Sequence, residues 1–291
     1  MDTARGVITL CYGPPRYRDQ ALALARSIRL RSSGVSLAVV TDRPAGEFAG
    51  LFHHVIPFDF AAFPGTTAKL ELGELSPFET TLFIDSDCLC VRRIEPLFDY
   101  FGAADFAVFG ENRPDFAWAE GAQQVPQIVA APSYPTFNGG LYFFRRSAMA
   151  RQVFARARHY SADYPSLKLD RPRGAHNDEL LIALAMAELG LPACDDTALI
   201  PMVAPELPAR DLELNLLAGI CRFTRRGQVV EPAIVHFVGS RDLLPAYRRE
   251  QWVLRWIVGA GWPRWTRPLL GVAAQAEHFA RWVIGRLRRL P

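Results

Sequence analysis

Thr81-Leu82-Phe83-Ile84-Asp85-Ser86-Asp87-Cys88-Leu89-Cys90-Val91-Arg92 is the stretch whose reading decides the fold. Residues 81–84 form a short apolar run of β-formers, which predicts a buried strand. The run ends in Asp85-Ser86-Asp87, two carboxylates one residue apart. In an extended segment residues i and i+2 point to the same side. Two like charges at a buried strand end are costly unless a cation sits between them. Carboxylate oxygens suit Mg²⁺ or Mn²⁺. A solvated loop with two Asp is the plain alternative. The position after a buried strand weighs against it, because sites in open α/β sheets lie at the carboxyl ends of strands.

Upstream, residues 6–11 (GVITLC) predict a first strand, and Tyr12-Gly13-Pro14-Pro15 is turn chemistry. Residues 19–30 carry apolar side chains at helical spacing. Residues 36–41 (SLAVVT) read as a second strand ending in Asp42, and residues 54–58 as a third. Residues 67–75 predict a helix bearing Lys69, stopped by Ser76-Pro77. This alternation predicts an α/β fold with a mostly parallel central sheet covered by helices. Downstream, a short helix is expected over 94–101, a strand over 105–109 and an irregular loop over 111–136. A Gly pair then leads into strand character within FNGGLYFFR, residues 137–145. Helices follow over 148–160 and from Asn177 or Asp178 to Leu189, with late strands over 198–202 and 233–237.

Half of the 291 residues are hydrophobic, 22% are charged and the net charge is +3, which supports a sizeable core and argues against nucleic-acid binding. The basic residues are almost all Arg; Lys69 and Lys168 are the two lysines. The five cysteines, Cys11, Cys88, Cys90, Cys194 and Cys221, lie in apolar contexts without zinc or redox spacing and read as reduced, buried thiols. The N-terminus lacks the pattern of a signal peptide and no stretch is long enough to span a membrane, so a cytoplasmic location is expected. From 243 to 291 the chain changes character: it is basic and holds five of the six Trp. That extension reads either as a helical cap on the domain or as an interfacial amphipathic element making peripheral membrane contact.

Taken in order, the strand-helix-strand start, Lys69, FIDSDCLC, FNGGLYFFRR, HNDELL and VHFVGS resemble the nucleotide-sugar glycosyltransferases of the GT-A fold. The likeness is to glycosyltransferase family 8, which includes glycogenin and lipopolysaccharide galactosyl- and glucosyltransferases, and it spans roughly residues 6–240. The resemblance implies a GT-A domain over 1–242 that moves a hexose from a nucleotide sugar, UDP-linked, to a saccharide or glycolipid acceptor with retention. It implies Mn²⁺ or Mg²⁺ held by Asp85, Asp87 and His236. It places Lys69 and Ser86 by the donor, Asn138 and Asp178 on the sugar, and Tyr12 and Asp42 where base and ribose bind. The acid opening the 178 helix is followed here by Glu179 where the family has Gln. After the histidine the family reads Gly, then Lys-Pro-Trp. Here Gly239 is followed by Ser240 and Arg241, with Asp242 at the lysine position, so Arg241 is the cation left for the diphosphate.

Each residue also has a plain structural reading: core histidine for His236, exposed helix lysine for Lys69, N-cap for Asp178, turn chemistry for Asn138-Gly139-Gly140. Two other functions fit parts of the pattern. A nucleotidyltransferase shares the sheet and the carboxylates, but Tyr12-Gly13-Pro14-Pro15-Arg16 is a poor phosphate-cradling loop. A catalytically inactive binding or scaffold protein at the membrane would suit the missing lysine and the Trp/Arg extension.

Overall fold

The computed structural model describes residues 4–63, 65–114, 125–169, 175–195, 202–203, 211–225, 227–238 and 244–287. The chain begins β1 (Arg5–Cys11), α1 (Pro15–Arg31), β2 (Ser36–Thr41), β3 (His54–Pro57), α2 (Leu72–Leu75), β4 (Thr80–Ile84) and β5 (Cys88–Cys90). It continues with α3 (Glu95–Tyr100), β6 (Phe106–Ala107), β7 (Phe109–Arg113), α4 (Val125–Ile128), β8 (Tyr134–Phe137), β9 (Leu141–Arg145), α5 (Ala148–Ala162), α6 (Tyr164–Leu167) and α7 (Asp178–Glu188). The last elements are β10 (Cys194–Asp195), β11 (Met202–Val203), β12 (Glu213–Asn215), β13 (Ile220–Arg225), β14 (Gln228–Val230), β15 (Ile234–His236), α8 (Pro245–Val253) and α9 (Arg267–Leu287). Two compact units result: one comprises 1–18, 35–86 and 95–197, the other 19–34, 87–94 and 198–291.

The first unit is built on a six-stranded sheet of order β3-β2-β1-β4-β9-β6. Strands β3, β2, β1 and β4 run parallel, and β9 pairs antiparallel with β4 and β6. Strands β1, β2 and β4 are nearly continuous buried runs, as strands covered on both faces require, whereas the edge strand β3 is only partly buried. The core joins Ile8, Val40, Phe83, Tyr142 and Phe144 from the sheet to Val153 and Phe154 of α5 and to α7. Helix α7 is apolar all round, and Leu180 to Met186 are fully buried, which makes it an interior helix. Each large side chain buried this way contributes about 1.5–3 kcal/mol. Asn177 caps α7, its side chain accepting from the Glu179 N–H at 2.9 Å.

Two expectations for this unit change. Residues 67–75 are a 3₁₀ turn, Thr67–Glu71, followed by the single α-turn of α2. Thr67, Ala68, Lys69 and Leu70 are all buried, a pattern no one-sided surface helix can satisfy. The strand expected over 105–109 divides into β6, on the central sheet, and β7, in a separate sheet of order β10-β7-β8. Within 111–136, residues 115–124 lie outside the described residues, and the rest contains the end of β7, α4 and the start of β8.

The second unit has a three-stranded sheet of order β11-β15-β5 and another of order β12-β13-β14. Of the strand expected over 198–202, residues 198–201 lie outside the described residues, and Met202–Val203 pairs parallel with β15. Cys88–Cys90 is a strand in its own right, antiparallel to β15. The body of α1, from Asp19, belongs here: its Ser27 hydroxyl accepts from the Cys90 N–H at 2.9 Å and donates to Leu24 O at 2.7 Å. Glu250, fully buried, fastens α8 to its surroundings. It accepts from Arg267 at 2.7 Å, Arg249 Nε at 3.1 Å and the Leu216 N–H at 2.9 Å. Trp252 Nε1 donates to Glu277 of α9 at 2.7 Å.

Candidate active site

In the first unit, β4 and β1 are parallel neighbours at the point where the strand order reverses: β2 and β3 lie beyond β1, and β9 and β6 beyond β4. Crevices beyond the carboxyl ends of such strands are where open α/β sheets bind ligands. β1 delivers Tyr12 there and β4 delivers Asp85. Asp85 is fixed by its own backbone, whose N–H donates to Gly140 O at 2.9 Å.

Lys69 is the centre of this cluster. Its Nζ donates to Asp85 Oδ2 at 2.9 Å and to Gly139 O at 2.9 Å, and lies 3.4 Å from Asp178 Oδ2. It also sits 5.2 Å from the centre of the Phe83 ring. Lys69 is 7% exposed, so it is not the surface helix residue that its type suggests. Burial alone pushes its ammonium down, but Asp178 and Asp85 outweigh that and hold it well above the ordinary lysine range.

Asp178 is placed by the first turn of α7, its N–H donating to Thr66 Oγ1 at 3.2 Å. Its Oδ2 accepts from the Tyr142 hydroxyl, which burial and then Asp178 push well above the usual phenol range. The turn between β8 and β9 completes the arrangement. Asn138 Oδ1 accepts from the Gly140 N–H at 3.1 Å, and the Gly139 N–H donates to Glu179 Oε1 at 2.6 Å. A Cβ on Gly139 would stand 2.8 Å from the Tyr142 hydroxyl and 2.9 Å from Asp178 Oδ2, so only glycine permits this approach. Tyr12 stacks on Phe60 with centroids 4.1 Å apart and donates to Gly65 O at 3.0 Å. Burial raises its phenol, and Lys69 partly offsets that. Asp42 is exposed just past β2.

Three carboxylates, Asp85, Asp178 and Glu179, thus surround one ammonium. Such a set can accept hydrogen bonds from sugar hydroxyls and has negative charge left for a further cation.

In the second unit, Asp87 and His236 come together. His236 Nε2 lies 2.9 Å from Asp87 Oδ1, and the Phe237 N–H donates to Asp87 O at 3.1 Å. His236 is directly opposite Cys88 in the β15–β5 ladder. One ligand atom from each of Asp87, Cys88 and His236 falls within 4.8 Å of the others. This oxygen, nitrogen and sulfur set fits a divalent transition metal. Ser86 is half-buried between the two aspartates in sequence. Gly239 and Arg241 lie outside the described residues.

Reasoning from sequence missed Tyr142, Thr66 and Cys88. The continuous apolar run of β9 marks Tyr142 as a core position, and nothing in its spacing ties it to Asp178. Glu179 was visible as a departure, but its bond to Gly139 was not.

The sheet order, the crossover at β1/β4 and the helical layers define the α/β fold of the GT-A glycosyltransferases. Among solved structures, the galactosyltransferase LgtC in complex with donor and acceptor sugar analogues matches with a TM-score of 0.56 and 15% identity, covering 90% of this chain and 99% of that one. An active-site mutant of LgtC matches at 0.52 and 16% identity, covering 80% and 87%. No protein-family model matches the chain, and no curated protein matches it in sequence.

Proposed function

We propose that this chain is a metal-dependent glycosyltransferase that moves a hexose from a nucleotide sugar, UDP-linked, to a saccharide or glycolipid acceptor with retention. The observation that carries the reading is the Lys69–Asp85–Asp178 cluster at the carboxyl end of β4 in a sheet of this fold. Asp87 and His236, with Asp85 two residues earlier in the chain, are assigned to Mn²⁺ or Mg²⁺. A bound divalent ion would supply Lewis-acid stabilisation of the leaving diphosphate.

The protein's own residues do the rest. Asp178 and Asn138 bind and orient the donor sugar, Asp178 held in place by the Tyr142 hydroxyl. Asp178 and Asp85 hold the Lys69 ammonium in its charged form, and Lys69 in turn fixes the position of both carboxylates. Tyr12, supported by Phe60, offers a ring face to the nucleotide, with Asp42 near the ribose. Ser86, Gly239 and Arg241 are assigned to the diphosphate.

The acceptor's surface enters through α9. Leu269, Val272 and Phe279 are 63, 66 and 64% exposed and recur at helical spacing, so they form one apolar stripe of α9, and Trp265, 73% exposed, lies in the 3₁₀ turn just before it. Arginines dominate the charges of the surrounding 243–291 segment. A basic amphipathic helix of this kind fits an anionic lipid surface. Among the described residues no helix is long and apolar enough to cross a membrane.

Thermal melting with Mn²⁺ and a panel of nucleotide sugars tests the reading. Ligand at about 100 times its dissociation constant stabilises the protein by about 2.7 kcal/mol. That shift should need the metal and vanish in Asp87→Ala. The absence of a shift with any nucleotide sugar, or an equal shift in the variant, would end it.

A further inference from the structure

The thiol beside the Asp87–His236 pair has no part in the reading above. Cys88 is fully buried, yet its sulfur belongs to the same cluster as the carboxylate and the imidazole. The placement follows from the ladder. Directly opposed residues of an antiparallel pair project their side chains from the same face, and His236 opposes Cys88. Asp87, the residue before the strand, adds its carboxylate at 2.9 Å from Nε2.

We propose that Cys88 joins Asp87 and His236 as a protein ligand of this metal site, which makes it an oxygen–nitrogen–sulfur site selective for thiophilic divalent cations. The inference deepens the metal assignment made above and rests on it for Asp87 and His236. Hard cations such as Mg²⁺ gain little from sulfur, whereas Co²⁺, Zn²⁺ and Cd²⁺ gain a strong bond. Asp87, Cys88 and His236 leave a fourth tetrahedral position for one further oxygen ligand. Coordination releases the thiol proton to solvent, and the bound sulfur is a thiolate.

The other buried thiols, Cys11, Cys90 and Cys221, belong to no such group of ligand atoms among the described residues. Cys194, which is only partly buried, is the thiol to control for.

Titrating the full chain with Co²⁺, without nucleotide, tests the ligand directly. The expected result is a near-ultraviolet thiolate-to-cobalt charge-transfer band that saturates at one equivalent. It should be lost in Cys88→Ser and kept in Cys194→Ser, while Cys88→Ser still binds Mn²⁺ through Asp87 and His236. A band that is absent, or unchanged by Cys88→Ser, overturns the proposal. Should Cys88→Ser fail to fold, zinc X-ray absorption on the unaltered chain decides: a sulfur at about 2.3 Å supports it, and a shell of nitrogen and oxygen alone overturns it. Neither readout needs turnover. A cobalt band in a chain that uses no nucleotide sugar would keep the ligand and remove the transferase reading.

Discussion

Replacing Lys69 by Met keeps most of the side chain's volume and deletes the ammonium that Asp85, Asp178 and Gly139 O share. Asp178 is 3% exposed and Lys69 7%, so solvent screens this group weakly. Removing one partner of a buried charge pair costs about 3–5 kcal/mol, because the remaining charge is left uncompensated. A body of this size loses about 2–4 °C of melting temperature per kcal/mol, so the drop is about 6–20 °C at neutral pH. The pH dependence gives the sign. In the unaltered chain the folded-state pKa of Lys69 lies above its ordinary 10.5, so its stabilisation is fully present below that value and is lost as pH rises through the folded value. In Lys69→Met that contribution is missing at every pH. The deficit is therefore constant across the neutral range and begins to shrink only as pH rises past 10.5. Adding Asp178→Asn should restore part of the loss, a coupling of about 0.5–3 kcal/mol. Melting followed by circular dichroism between about pH 6 and 11 measures all of this. An unchanged melting temperature, or a deficit that already shrinks between about pH 6 and 9, would refute the reasoning.

Tyr142→Phe removes the hydroxyl that donates to Asp178 and should cost about 1–3 kcal/mol in chemical denaturation; no loss would mean that the bond contributes nothing. Glu250→Ala strips the acceptor from Arg249, Arg267 and the Leu216 N–H, and should cost about 3–5 kcal/mol, read as earlier unfolding monitored by the fluorescence of the neighbouring Trp252. A paired Leu269→Glu and Phe279→Glu change on the exposed stripe should leave melting unaltered and abolish sedimentation with anionic phospholipid vesicles; undiminished sedimentation would dismiss the membrane surface. Substitution is the better probe than truncation, because Tyr247 and Leu254 are buried in the core of their own unit.

Strands β1, β2 and β4 were legible because each is a buried apolar run with turn residues at its end: 36–41 was read with the boundaries that β2 has. The Asp85-Ser86-Asp87 turn was legible for the same reason, as charge at the end of such a run. The 67–75 segment was not, because local periodicity cannot show that four consecutive side chains are covered. Lys69 was noticed as a rare residue type, but its burial and three partners come from segments 16 to 109 residues away. Cys88 shows the limit most clearly. An apolar neighbourhood predicts a buried thiol, and it is buried; what lies beside it comes from a strand 148 residues later.

The most direct measurement of the central claim is the release of nucleoside diphosphate from a nucleotide sugar by the purified chain, with and without divalent metal. The account predicts slow metal-dependent release without acceptor, accelerated by a saccharide or glycolipid acceptor, and lost in Asp87→Ala and His236→Ala. Release at the same rate in a chelator, or in either variant, would contradict it.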